Sequence, residues 1–189
     1  MRKKIILTCL GSILLVSCSN YHQIMKGEGS TSGVLSNYSM SNITVLDKNS
    51  PVCIALPKNS TTNHASYLKD FVDISNVINI SLRPYTTQST IYSKYRSEIE
   101  GLEFAKDKNC RYVIFPNITS WEDRHTFWTG VPDKISLNID IFDVNNGELI
   151  DHFTIKGRSS NTAGINQKPY ELIYHPLKNI FKALYNEHD

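Results

Sequence analysis

The sequence predicts one α/β domain with a mixed five-stranded sheet, in the order β-α-β-α-β-β-β-α, and with helices packed on the sheet. The short apolar runs 52–56 and 112–115 are each followed by a proline, which is typical of buried strands. Residues 135–141 alternate between apolar and polar side chains, which is typical of a half-exposed antiparallel strand. Amphipathic segments lie between and after these runs, so helices are expected to cover the sheet.

The first half of the domain is predicted to contain two strand–helix units. The first strand is 52–56, and Thr62 or Asn63 can cap the helix that follows it. Residues 77–82 are predicted to be the second strand, because they are largely apolar and precede Pro84. The apolar face of the first helix would be formed by Ala65, Leu68, Phe71 and Val72.

A second helix is predicted after Thr90, which can cap it, and it ends near Lys106 and Lys108, where cations suit the helix dipole. The third strand is 111–118, and a right-handed crossover would place it beside strand 52–56. The inward face of the second helix would be formed by Ile91, Tyr95, Ile99, Leu102 and Ala105.

The second half is predicted to be a hairpin followed by a helix. Asn146-Gly147 would supply the positive φ values of the turn 144–148, and 149–156 returns as the fifth strand. Pro169 opens a helical stretch that Pro176 breaks or restarts. The fourth strand would bury Ile135, Leu137, Ile139 and Ile141, and the final helix would bury Leu177, Ile180, Phe181 and Leu184.

The amino terminus has the features of a secretory signal. Basic residues 2–4 precede an apolar run, 5–16, that is too short to span a membrane as a mature helix. Leu15-Val16-Ser17-Cys18 resembles the bacterial lipobox, which implies that Cys18 is acylated and residues 1–17 are removed. The alternatives are an ordinary signal peptide with an unrelated Cys and an uncleaved amino-terminal anchor. Ser19, and not an Asp, follows Cys18, which by resemblance to enterobacterial lipoprotein sorting favours the outer membrane over the inner membrane.

The mature chain divides into a tether and a domain. Residues 18–49 are rich in Ser, Asn, Gly and Thr and are predicted to be a lipidated flexible tether, with a short strand considered at 43–45. Residues 50–189 form the predicted periplasmic domain. Loss of the basic residues 2–4 takes the formal charge from +2 to −1, so the charge does not favour nucleic acid. Stable membrane attachment would depend on the several acyl chains of a lipoprotein.

Two cysteines remain in the predicted domain, Cys53 and Cys110, and each lies at or near the start of an apolar run. An oxidising envelope permits a disulfide between them. The alternative is a pair of buried free thiols, which behave as small apolar groups. The sequence leaves both interpretations open.

The segment between the third and fourth strands is the candidate binding site. It holds both tryptophans of the chain, Trp121 and Trp128, together with Glu122, Asp123 and Arg124. Aromatic and Arg side chains on a loop are typical of binding hot spots, and Arg124 could clamp a carboxylate. The alternative is a structural role, in which Trp121 caps the sheet end and Arg124 pairs with Asp123 or Asp133.

Residues 105–156 also carry a family resemblance. The motif consists of YVIFPNI at 112–118, WEDR at 121–124, Trp128, Gly130, Pro132-Asp133 and DVNNGELI at 143–150. It resembles the uncharacterised bacterial lipoproteins grouped as domain of unknown function 4823 (DUF4823). More distantly, the element order and the 143–148 hairpin resemble the TolB amino-terminal domain, the curli-export (CsgG-like) lipoprotein and lipoproteins that activate peptidoglycan synthases. That second resemblance implies binding of envelope proteins or homo-oligomerisation, without chemistry.

No catalytic motif stands out in the sequence. The six histidines show no zinc-ligand spacing, and no nucleophile elbow, phosphate loop or dinucleotide fingerprint is present. The sequence therefore predicts a non-catalytic outer-membrane lipoprotein, without cofactor or metal, that binds or assembles envelope proteins. The alternative is a lipoprotein that binds a small molecule or glycan with the Trp121–Trp128 loop; an envelope hydrolase ranks third.

Overall fold

The fold is known from a computed structural model, which describes residues 35–40, 44–59, 68–86, 88–124, 126–160 and 168–186. The strands are β1 Leu35–Met40, β2 Val52–Ile54, β3 Lys58–Asn59, β4 Ser89–Ile91, β5 Tyr112–Glu122, β6 Lys134–Asp143 and β7 Glu148–Arg158. The helices are α1 Leu68–Leu82, α2 Glu98–Asp107, α3 Thr126–Thr129 and α4 Tyr174–Leu184, with a 3-10 helix at Pro169–Ile173.

One mixed sheet organises these elements, and the predicted α/β fold is confirmed. The sheet order is β1-β7-β6-β5-β2-β4, and β3 pairs with β5. β2 runs parallel to both β4 and β5, whereas each neighbouring pair in the series β5, β6, β7 and β1 is antiparallel. Helices α1, α2 and α4 join or follow the five strands β2, β4, β5, β6 and β7 in the predicted order, and the predicted pairing of the first and third strands is observed.

Helices cover the two faces of the sheet unequally. On one face, α1, the 3-10 helix and α4 bury the main core, whose members include Ile74, Ile114, Leu137, Phe153 and Phe181. On the opposite face, α2 and its flanking loops bury a smaller cluster that includes Cys53, Tyr92, Ala105, Val113 and Phe142. This second face carries polar side chains over β6 and β7, which leaves that part of the sheet half-exposed.

The second strand lies elsewhere than predicted. Residues 77–82 form the end of α1, where Ile74, Ile78 and Leu82 recur every four residues and are fully buried. The second strand is β4, which consists of three residues at the sheet edge. The apolar content of 77–82 and the proline that follows it therefore misled the strand prediction, because helical spacing from Ile74 onward decides the burial.

The second helix begins later than predicted. It is capped by Ser97, whose hydroxyl accepts from Glu100 N–H while the Glu100 carboxylate accepts from Ser97 N–H. Thr90 lies in β4 instead, and Ile99 is 73% exposed rather than inward. Val72 on α1 is likewise 43% exposed, whereas the proposed caps Thr62 and Asn63 lie outside the described residues.

Part of the predicted tether belongs to the sheet. Leu35–Met40 pairs with β7 along six residues, and Leu46 is buried and donates its N–H to Leu184 O at 2.7 Å. Thr44 and Val45 form no strand, and Ile43 lies outside the described residues, as do residues 1–34. Pairing at an antiparallel sheet edge forms hydrogen bonds between backbone N–H and C=O groups, whatever the side chains are. Composition alone therefore did not predict β1.

The hairpin and the last helix follow the prediction. Ile135, Leu137, Ile139 and Ile141 are all buried in β6. In the turn between β6 and β7, Gly147 has a φ of +71°, but Asn146 has no positive φ, so one residue suffices where two were expected. The predicted apolar face of α4 is fully buried. Within the described ranges, no helix has the length and apolar character needed to cross a membrane.

Candidate functional site

The segment 123–133 connects β5 to β6, and the buried side chain of Asp133 holds its two ends together. Asp133 is fully buried, and its Oδ1 accepts a hydrogen bond from Arg124 N–H at 2.5 Å. Asp133 also exchanges backbone and hydroxyl hydrogen bonds with Ser159, which follows β7. The loop therefore projects from a fixed base at the end of three neighbouring strands.

A network of charges borders this base. Glu122 Oε2 lies 2.9 Å from Arg124 Nη2 and 3.4 Å from Lys134 Nζ. Burial raises the pKa of Glu122, but the hydrogen bonds and charges of Arg124 and Lys134 have the larger combined effect, so the pKa lies below its ordinary value. Asp123 pairs with Lys168 at 2.8 Å, which ties the loop to the start of the 3-10 helix.

Arg124 makes different contacts from those considered in the sequence. Its guanidinium pairs with Glu122 through both Nε, at 3.1 Å, and Nη2, rather than with Asp123 or Asp133. Asp133 is contacted by the backbone N–H of Arg124 instead. Because Glu122 already occupies this donor pair, the arrangement does not favour a two-pronged clamp on an external carboxylate.

The two tryptophans lie in different environments. Trp121 is half-buried, stands opposite Ile135 on β6 and packs against the main core. Its Nε1 is buried and has no hydrogen-bond partner among the described residues. Trp128 lies on the four-residue helix α3 and is 83% exposed. Trp121 and Glu122, which were predicted to lie in the connecting segment, therefore belong to β5, and Trp128 is the tryptophan that the loop carries toward solvent.

Two cavities lie outside the segment 123–133, which carries Trp128 and is called the tryptophan loop. One, of about 210 Å³, lies beside the amino end of α2 and is lined by residues that include Lys58, Tyr95, Arg96, Asn117 and Asp140. The other, of about 320 Å³, is a shallow groove on the half-exposed sheet face. Neither Trp121 nor Trp128 lines either cavity.

The groove was missed in the sequence, although a signal was present. Its polar lining comes from Ser120, Lys134, Ser136, Lys156 and Arg158. These residues alternate with the buried side chains of β6 and β7, so the same alternation that predicts the core also predicts their outward direction. Their convergence depends on the strand register, which the sequence does not state.

The structure joins Cys53 and Cys110 by a disulfide, with Cα atoms 5.7 Å apart. Cys53 lies in the centre of β2, and Cys110 lies in the turn between α2 and β5, which pairs with β2. Both side chains are buried within the smaller cluster. The bond therefore ties the carboxyl end of α2 to the sheet.

Cys18, the predicted lipid site, lies outside the described residues. Across the parts of the chain that the structure describes, no group of three His, Cys, Asp or Glu side chains is placed to hold a metal ion.

The chain matches a protein family, and its fold resembles that of PelC, which has been solved. The model of the family described as "Domain of unknown function (DUF4823)" matches residues 44–184. No curated protein matches the chain.

Among solved structures, the PelC dodecamer from Paraburkholderia phytofirmans is 17% identical, with a TM-score of 0.61 over 77% of this chain and 97% of that chain. A PelC variant from the same organism is 16% identical, with a TM-score of 0.59 over 78% of this chain and 98% of that chain. Lipoprotein GNA1162 from Neisseria meningitidis is 10% identical over 73% of this chain and 96% of that chain, with a TM-score of 0.43.

Proposed function

Since the chain belongs to the family described as "Domain of unknown function (DUF4823)", we propose that it is a lipid-anchored lipoprotein of the outer membrane that assembles with envelope proteins through its tryptophan loop. Cys18 would carry the lipid, and the domain would stand in the periplasm. The role is non-catalytic. The confirmed family agrees with the lipobox-like amino terminus, which supports the envelope location.

The exposure of Trp128 is the observation that carries the binding role. A tryptophan that is 83% exposed leaves a large apolar ring in water, and burial of such a ring is a common source of binding energy at protein interfaces. The hydrogen bond from Arg124 to Asp133 and the ion pair between Asp123 and Lys168 hold the base of the loop. A prearranged loop loses less entropy on binding, which favours affinity.

A protein partner or a second copy suits this loop better than a small ligand. A ring-stacking ligand site would need an open cleft beside the tryptophans, and neither cavity is lined by them. The fold is shared with PelC, which is a dodecamer. That likeness supports self-assembly as one form of the proposed role, and a different envelope protein as the other.

In-cell crosslinking of the full lipoprotein followed by mass spectrometry tests this role. We expect one dominant envelope protein, or a discrete ladder of homo-oligomers, that is lost in Trp128→Ala. Tyr95→Ala is the matched control, because Tyr95 is also an exposed aromatic residue, at 52%, and belongs to the segment before α2 and not to the loop 123–133. Monomer in every sample would overturn the assembly role.

The anchor is tested separately by labelled palmitate and by separation of the two membranes. We expect label in the wild-type protein and none in Cys18→Ala, with the labelled protein in the outer-membrane fraction. Label in the inner-membrane fraction would correct the location and leave the anchor intact.

A further inference from the structure

The groove on the half-exposed sheet face concentrates positive charge. Lys134 on β6 lies directly opposite Arg158 on β7. Lys156 lies on the same face of β7, two residues before Arg158. Like charges placed opposite each other on neighbouring strands are destabilising. Three of the residues that line the groove are cationic and none of the lining residues is acidic. Glu122 lies just outside the lining, 3.4 Å from Lys134 Nζ. The lining of the groove is therefore basic in a chain whose predicted mature charge is −1.

Hydroxyl groups accompany these cations. Ser120 and Ser136 face each other across β5 and β6 and line the groove, and Ser136 stands opposite Lys156. Ammonium, guanidinium and hydroxyl donors on one surface are the groups that bind phosphate oxygens. The chemistry of the groove thus fits a phosphate-bearing anion.

The path of the chain indicates where that anion would be found. β1 begins at Leu35, whose register partner on β7 is Arg158. The chain from Cys18 therefore enters the sheet at the groove end of β7. Seventeen residue steps separate Cys18 from Leu35, which limits the reach of this segment to about 60 Å. A lipid anchor at Cys18 would tether this end of the domain to the bilayer.

We propose that the basic groove of Lys134, Lys156 and Arg158 binds the phosphate headgroups of anionic lipids and docks this end of the domain on the membrane. The inference rests on the proposed function for the acyl chain on Cys18. It adds a second, electrostatic contact and thereby fixes the orientation of the domain. Each cation near an anionic bilayer raises the membrane-binding constant about fivefold at low salt. This gain falls as added salt shortens the electrostatic screening length.

Lysine-reactivity footprinting on the full lipidated protein tests the groove. The protein is placed in vesicles of phosphatidylcholine alone or with phosphatidylglycerol, treated with an acetylating reagent and mapped by mass spectrometry. We expect the acetylation of Lys134 and Lys156 to fall about fivefold in the anionic vesicles only, and to recover in 1 M salt. Lys178 on α4 is exposed on the opposite layer and should react equally in both vesicles.

The matched variants are Lys156→Glu and Lys178→Glu, which make the same charge change on opposite layers. Lys156→Glu should abolish the protection of Lys134, and Lys178→Glu should preserve it. Equal reactivity in the two kinds of vesicle would overturn the proposal. Protection in both kinds, with crosslinks between copies, would instead assign the groove to a second copy of the chain and would equally overturn it.

Vesicle flotation separates this proposal from the anchor. A lipidated protein floats with phosphatidylcholine vesicles whether or not the groove binds phosphate. Loss of flotation would overturn the anchor alone, because excess anionic vesicles added to the unanchored protein should still protect Lys134 and Lys156. Flotation with equal reactivity overturns the groove alone.

Discussion

The Asp133 carboxylate accepts a hydrogen bond from the backbone N–H of Arg124, nine residues earlier in the chain, and so closes the loop that carries Trp128. Asp133 is fully buried, and its own N–H donates to Ser159 Oγ at 2.8 Å. One residue thus links the end of β5, the start of β6 and the end of β7, through its side chain to Arg124 and through its backbone to Ser159. The exposed tryptophan and the sheet are mechanically coupled through this residue.

Asp133→Ala should lower the free energy of unfolding by about 1–3 kcal/mol, because the partly buried N–H of Arg124 loses its acceptor. Denaturant unfolding followed by circular dichroism measures this loss. Asp123→Ala is the control, since its ion pair with Lys168 is partly exposed and should contribute less than about 1 kcal/mol. Equal effects of the two variants would contradict the role assigned to Asp133.

The two tryptophans should respond oppositely to substitution. Trp121→Ala should cost about 2 kcal/mol of stability, because the half-buried ring packs on the main core. Trp128→Ala should leave the melting temperature nearly unchanged. Trp121→Phe should cost less than Trp121→Ala, since it keeps an aromatic ring and removes the unpaired Nε1 donor. A large loss of stability in Trp128→Ala would place that residue in the core.

We predict that Cys53 and Cys110 are bonded in the mature protein and that reduction lowers stability. The bond closes a loop with a sequence separation of 57, for which chain entropy predicts a contribution of about 4 kcal/mol. Urea unfolding with and without reductant measures the difference. Two free thiols in the denatured, unreduced mature protein would contradict the bond.

Gly157→Ala should destabilise the domain by about 1–3 kcal/mol through overpacking. A Cβ at this position would lie 2.7 Å from Leu172 Cβ and 3.1 Å from Ile135 Cγ2, so the 3-10 helix would have to move. A double-mutant cycle with Leu172→Gly, which removes the clashing Cβ, checks the cause. The two costs should combine to less than their sum, and strict additivity would show that the clash is not the reason.

Stability should fall below pH 4.5 partly through Glu122. Its pKa is lowered in the folded state, so its contribution is present above the ordinary value of 4.5 and is lost as the pH falls through the lower folded value. The ion pairs are partly exposed, so the effect should not exceed about 1 kcal/mol. Melting temperatures of wild type and Glu122→Gln should converge toward pH 3. Parallel profiles would exclude this contribution.

The sequence predicts the elements whose pattern is long and regular. The alternation in β6 and the four apolar positions of α4 are buried as expected. By contrast, β4 has only three residues and no apolar pattern, and residues 77–82 are largely apolar and precede a proline, although they end a helix. A short edge strand forms because it pairs with a neighbouring strand, and local composition does not determine that pairing.

The site is predictable in its residue types but not in its contacts. The sequence places Trp121 and Trp128 close together, yet Trp121 belongs to β5 and packs on the core, whereas Trp128 lies on the loop and is exposed. The Arg124 guanidinium contacts Glu122, two residues away, rather than either predicted aspartate. The bend of the chain after β5 decides these contacts, and it depends on the buried acceptor Asp133.

The position of β1 also determines how the domain would carry load. Under the proposed anchoring, tension from the bilayer enters β1 at Leu35, the first residue of that strand. A pull along the strand axis loads the six register pairs between β1 and β7 together, in shear. A pull across the strand axis would break the same pairs one after another. We therefore expect the domain to resist drag along the strand direction far better than a sideways pull, which would strip β1 from the sheet edge first.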